Sequence, residues 1–193
     1  MPASTGSSSP AKSSSSIEPA GPLTLARLVV LLIVGVLIVA LHESFNYPLK
    51  IPGHHGLEAM ALLVFARLTS TYRWAATIVS LSAATTAAGV GAEHGWLTPF
   101  LYLAPGVVID LAVMVFAGWR TQILVLPLIA AFAHATKPLM RFGLAETFGM
   151  EFGSFRAGAL YPVSTHLAFG FAGGLAGALL WREWARRAAK QQA

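Results

Sequence analysis

From Leu23 to Leu41 the chain reads LTLARLVVLLIVGVLIVAL, with Arg27 as its one charged residue. A stretch of about 20 apolar residues is what an α-helix needs to cross the roughly 30 Å hydrocarbon core of a bilayer. In lipid each backbone N–H and C=O needs a partner inside the spanning structure, and a run without alternation meets that demand only as a helix. Five more segments of this kind follow, at about 55–70, 73–92, 97–119, 121–141 and 159–182. They predict an all-α, polytopic membrane protein of six transmembrane helices spread over 23–184. No internal repeat is visible, which removes support for inverted-repeat transporter architectures.

Composition agrees. Of the 193 residues 55% are hydrophobic and 11% charged, and the mean hydropathy is +0.65. Soluble domains carry roughly 25% charged residues. These values exclude a disordered chain, a nucleic-acid module and almost any soluble enzyme. The net charge of +5 comes from basic residues scattered between apolar runs, a pattern that topology explains better than nucleic acid does. With no cysteine, disulfides, Cys-based metal centres and a Cys nucleophile are excluded.

Residues 1–22, MPASTGSSSPAKSSSSIEPAGP, hold almost no large apolar side chain and read as a disordered cytoplasmic tail. A signal peptide is the alternative for 1–40, but one lysine makes a poor n-region and the apolar run is longer than a usual h-region. Residues 185–193 read as a basic cytoplasmic tail. With both ends in the cytoplasm, that side holds Lys12, Arg27, Arg67, Arg73, Arg120, Arg182, Arg186, Arg187 and Lys190. The other side holds Lys50, Lys137, Arg141 and Arg156, as the positive-inside rule requires. Trp74, Trp96, Trp119, Trp181 and Trp184 fall near predicted helix ends, where an aromatic belt belongs.

This topology puts all six histidines in the outer half. His42 ends the first helix beside Glu43. His54, His55 and Glu58 open the second. His94 follows Glu93 in the loop between helices three and four. His134 and Lys137 lie in the outer third of helix five, and His166 about 10 Å into helix six. Asp110 is expected near mid-membrane in helix four. Ionisable groups inside a membrane are costly and read as functional by default. The plainer reading is solvation at the interface for His42 and His94, and a structural partner for Asp110.

In PLKIPGHHGLE (48–58), Pro52 and Gly53 break the chain before a helix. His54 and Glu58 are four apart on one face. They could bind a divalent metal or equally hydrogen-bond an organic ligand, and the helix start offers free N–H groups. The pattern is not HExxH. In helix five, His134, Lys137 and Arg141 form one stripe suited to an anionic substrate. Pro138 loosens the helix there, and Arg141 by itself reads as snorkelling to the headgroups. The aromatic, Gly-punctuated stretch 142–157 reads as a loop, either a lid over a pocket or a plain connection. Small residues at Ala84, Ala88 and Ala92, at Gly170 and Gly174, and at Gly173 and Gly177 allow close helix approach, within the bundle or against a partner.

Six helices in a short chain, both ends cytoplasmic, a Pro-Gly loop before helix two, and a last helix reading YPVSTHLAFGFAGGLAGALLW resemble the S components of energy-coupling factor (ECF) transporters. That resemblance implies a substrate-binding subunit of the cytoplasmic (bacterial inner) membrane that captures a vitamin or a metal ion near the outer face. It implies as partners a transmembrane coupling subunit and two cytoplasmic ATPases. The chain departs from the pattern in two places. Many members dock through Ala-x-x-x-Ala in helix one, whereas here Ala26 is followed by Val30 and Gly35 by Val39. The metal-binding branch uses a histidine at its extreme N-terminus, and this chain begins MPASTG, which does not favour cobalt or nickel.

The substrate-binding set expected from the sequence is therefore His54, His55, Glu58, His134, Lys137 and His166, with His54, His134 and His166 as metal candidates around one outward-facing cavity. No cofactor of its own is expected beyond a possible metal ion. There is no GxxxxGK[ST] loop, so uptake would need the partner ATPases. Two other readings stay open. One is an intramembrane enzyme: Ser164 and His166 lie on different helix faces and Ser44 and Ser80 lack a base, which disfavours a serine hydrolase and leaves a metal-dependent enzyme using His54, His134 and His166. The other is a structural or assembly membrane protein without a ligand.

Overall fold

A computed structural model describes residues 21–44, 51–91, 95–116, 124–155 and 158–191. Lys12, Lys50, Ala92, Glu93, His94, Trp119, Arg120, Arg156 and nearly all of the expected N-terminal tail lie outside the described residues. Among those described, six α-helices form and no strand does: α1 (Leu25–Ser44), α2 (Gly56–Thr69), α3 (Ala75–Gly89), α4 (Thr98–Val115), α5 (Val125–Phe148) and α6 (Leu160–Gln191). Short 3-10 turns cover Gly95–Leu97 and Gly153–Phe155.

Each expected segment is a helix, but α5 and α6 outrun their predicted ends. The expected 142–157 loop is half helix. α5 continues to Phe148 and stops where Gly149 turns left-handed (φ +66°) and donates its N–H to the Ala145 carbonyl at 2.9 Å, the usual glycine stop. Beyond it, Phe155 packs edge-on against Phe142 and Phe152. The basic segment after Trp184 continues α6 to Gln191, with Arg187 paired to Glu183 one turn back at 2.8 Å.

Three of these helical stretches, Leu25–Ser44, Gly95–Val115 and Leu160–Gln191, are long and apolar enough to cross a membrane, which indicates a membrane protein. The remaining helices fall short for identifiable reasons. α2 and α3 have 14 and 15 residues, about 21 and 22 Å at 1.5 Å per residue. α5 has the length, but Lys137, Arg141 and Glu146 dilute its apolar character. The exterior matches lipid contact. α1 alone exposes Leu25, Val29, Val30, Leu32, Ile33, Val36 and Leu37, a patch that a soluble monomer would not carry.

The helices alternate in direction and pack in the spatial order α1, α3, α4, α5, α6, α2, closing back on α1, with α2 also touching α3 and α5. α2 is the most enclosed, burying Ala59, Met60, Leu63, Val64, Ala66 and Leu68. Glycines set the close contacts. A Cβ on Gly35 would run into Val79 and Ser82 of α3, and one on Gly106 into Ala76 and Ser80 of the same helix. In α6, Gly170 and Gly174 face α5, while Gly173 and Gly177 face α2. The α6 glycines therefore pack within the bundle. The alanine row of α3 splits, with Ala84 buried and Ala88 exposed. Ser82 Oγ donates to the Leu32 carbonyl at 2.7 Å, a polar tie between α3 and α1 of the kind that joins membrane helices.

Asp110 joins α4 to α2 and α3. It lies level with the α2–α3 connection, fully buried. Its carboxylate accepts the Thr77 N–H at 2.7 Å and the Ala76 N–H at 3.4 Å, and Arg67 Nε of α2 lies 3.1 Å away. The first backbone N–H groups of a helix have no partner within it, and Asp110 of α4 satisfies two of them for α3. Arg67 Nη1 also donates to the Ser70 carbonyl at 3.2 Å. The arrangement binds three helices at one end and accounts for Asp110 structurally.

Candidate functional site

The other end of the bundle carries the histidines. The chain enters it through Pro52 and Gly53. Gly53 has φ +82°, a conformation that side chains with a Cβ resist. Its carbonyl accepts the Gly56 N–H at 2.8 Å, and the His54 carbonyl accepts the Leu57 N–H at 3.1 Å. This turn launches α2 with His54, His55 and Glu58 within its first turns. α1 ends at the same level and brings His42. α4 starts there and brings Tyr102. α5 brings His134 and Lys137, and α6 brings His166.

Glycines again decide which rings meet. The His134 imidazole fills the space that a Cβ on Gly56 would need. Its Nε2–H donates to the Gly53 carbonyl at 3.1 Å. Gly170, one turn after His166 and against Ala130 and His134, lets α6 close on α5. The His134 and His166 rings then stack with centroids 4.7 Å apart. A Cβ on Gly53 would meet the His166 ring at 2.6 Å. Pro138 lacks the N–H that would otherwise bond the His134 carbonyl, which loosens α5 beside the site.

Nearer the surface the His54 and His55 rings lie 3.9 Å apart, and those of His55 and His42 4.0 Å apart. His55 Nδ1 and Glu58 Oε1 are 2.9 Å apart. The Tyr102 ring stands edge-on to His42 at 6.1 Å, and Lys137 Nζ lies 4.8 Å from the Tyr102 centroid, within cation–π range. Glu58 is in electrostatic reach of Lys137.

The six expected binding residues thus lie together at one end. Of the three metal candidates, His134 and His166 stack on each other beside the Gly53 turn, closely packed at 1% and 5% exposure, while His54 packs on His55. The tight set of metal-ligating atoms among the described residues is a different one. His42, His55 and Glu58, all half-buried, place one ligand atom each within 4.8 Å of the others. Sequence reasoning left His42 out because a histidine at a helix end is usually solvated. The signal that could have found it was topological, since α1 must end where α2 begins.

The hydrogen bonds also fix tautomers. A carbonyl only accepts, so the nitrogen facing it carries the proton. His54 Nδ1 faces the Ile51 carbonyl at 2.8 Å, and His166 Nδ1 the Pro162 carbonyl at 2.7 Å. The neutral rings therefore present Nε2 lone pairs, and His134 presents Nδ1. His54 Nε2 and His134 Nδ1 are buried without a hydrogen-bond partner. Gly53→Ala should disturb this network through both φ and the His166 contact. The expected loss is about 1–2 kcal/mol, read as a lowered thermal midpoint in detergent.

No protein-family model matches the chain, and comparison with characterised proteins and with solved structures found no match.

Proposed function

We propose that the protein is a multi-pass membrane protein that captures a small substrate at its histidine end, as the substrate-binding subunit of an ECF-type uptake transporter. The observation that carries this reading is the convergence of His42, His54, His55, Glu58, His134, Lys137 and His166 from α1, the turn before α2, α2, α5 and α6. Polar side chains are expensive in a membrane protein unless they serve a site. Buried imidazole nitrogens without partners suit a ligand that would complete them. Translocation then depends on a coupling subunit and ATPases.

In this proposal all six helices cross the cell membrane, with the two short ones shielded by their neighbours. The histidine end faces outward. Arg27, Arg67, Arg73, Arg182, Arg186, Arg187 and Lys190 lie toward the opposite end, against Lys137 and Arg141 at the histidine end, which supports a cytoplasmic placement for both termini. The absence of cysteine makes the orientation easy to test. A single cysteine at Glu151, in the exposed α5–α6 connection, should react with an impermeant maleimide on intact cells. One at Gln191 should react only after permeabilisation. The reverse pattern would invert the topology.

The capture role is tested by native mass spectrometry of the protein purified from its own host in mild detergent. A stoichiometric organic molecule or metal ion, or a co-purifying coupling subunit, is the expected result. A chain that stays empty and solitary, and whose histidine substitutions leave its host without an uptake defect, would overturn the reading in favour of a structural role.

A further inference from the structure

We propose that the captured substrate is a divalent transition-metal ion, held by His42, His55 and Glu58. This rests on the capture reading above and names its cargo. The three side chains come from two elements, the end of α1 and the start of α2, and their ligand atoms already lie within 4.8 Å of one another. Bonds of about 2.0–2.1 Å to a tetrahedral ion place ligand atoms roughly 3.3 Å apart. Small side-chain rotations of these half-buried residues close the difference.

His55 Nδ1 and Glu58 Oε1 already lie 2.9 Å apart, close to the spacing of two ligands on one ion, so both face the proposed position as ligands. A ligating histidine commonly donates its second ring N–H to a carboxylate or a backbone carbonyl, which fixes the tautomer and raises the basicity of the ligating nitrogen. The neighbouring His54 shows this outer-shell pattern, with Nδ1 on the Ile51 carbonyl, and stands outside the three-residue set. Two imidazoles and one carboxylate suit zinc, nickel or cobalt, whereas magnesium and calcium prefer all-oxygen shells. Three protein ligands leave a coordination position open, as a site that must release its ion requires. The nearby Lys137 ammonium favours an anion in that position.

The test uses the full chain in detergent micelles, purified through a tag without histidine and stripped with a chelator. It is titrated with Co2+, followed by its visible d–d absorption, and with Zn2+ and Ni2+ by calorimetry. One ion per chain is expected, with excess Mg2+ failing to compete. His42→Gln, His55→Gln and Glu58→Gln should each weaken binding by at least about 10–100-fold, the loss seen when even an outer-shell partner of a metal site is removed. Phe132→Leu, on the exposed surface of α5, should bind as the parent does, and thermal midpoints establish that each variant is folded. Metal binding that survives all three glutamine substitutions would overturn the assignment of these residues. A parent chain that binds none of the three ions while co-purifying an organic molecule would overturn the metal proposal and leave the capture reading standing. A parent chain with neither would overturn both.

Discussion

Asp110→Leu should lower the stability of the protein by about 3–5 kcal/mol, the usual consequence of deleting one partner of a buried ion pair. The Arg67 guanidinium would stay buried at the junction of α2, α3 and α4, with its carboxylate counter-ion gone. Two backbone donors at the start of α3, Ala76 N–H and Thr77 N–H, would also lose their acceptor. Arg67→Met should cost a similar amount, because it strands Asp110. The double variant Arg67→Met/Asp110→Leu should cost clearly less than the two single losses added together. It removes both charges together, leaving the two orphaned N–H groups, which cost about 1–3 kcal/mol each when buried. Denaturant titration in mixed micelles reads all three. Additive losses in the double variant would mean that the two side chains do not act as a pair.

Replacing both Gly173 and Gly177 with alanine should separate α6 from α2. A Cβ at Gly177 meets the Ala61 backbone, with its C and Cα both at 3.1 Å and its carbonyl oxygen closer still. A Cβ at Gly173 meets the Gly56 carbonyl at 2.7 Å and the Leu57 backbone. Backbone in a neighbouring helix cannot swing aside as a side chain can. Overpacking costs about 1–3 kcal/mol per site, so the double variant should approach loss of a folded, monodisperse peak on size exclusion. Gly56 opens α2 against the His134 ring, so displacing α2 should also weaken any ligand binding at the histidine end. Gly143→Ala is the matching control. Nothing lies within 4 Å of a Cβ there, and exchanging glycine for alanine in a helix favours stability by up to about 1 kcal/mol. If both substitutions left the thermal midpoint unchanged, the close α2–α6 contact would be wrong.

The two sites share a design. At each end of the bundle, polar side chains from separate helices satisfy one another or the backbone, and small residues let the helices come near enough for that. At the Asp110 end the carboxylate is held by Arg67 and two N–H groups of α3, and the role is structural. At the histidine end several imidazoles crowd together, and His54 Nε2 and His134 Nδ1 are buried without hydrogen-bond partners.

Much of the helical order was legible in the chain itself. Apolar runs, Pro52–Gly53 and the glycine-rich last helix locate six helices, because backbone hydrogen bonding in an apolar segment is a local requirement. Alternation of direction then assigns His42, His54, His55, His134 and His166 to one end, since a helix that ends there must be followed by one that starts there. Local pattern also singled out most of the polar residues that cluster. It did not reveal how the helices turn about their axes. Only packing decided that His42 joins His55 and Glu58, that His134 lies in the niche of Gly56 against His166, and that Asp110 finds its partners at the start of α3. Nor did local pattern show that α5 runs on to Phe148, where a stretch read as loop gains a helical turn before Gly149 stops it. Axial rotation is set by glycine contacts between residues far apart in sequence, and no periodicity within a single helix encodes which neighbour will fill the groove.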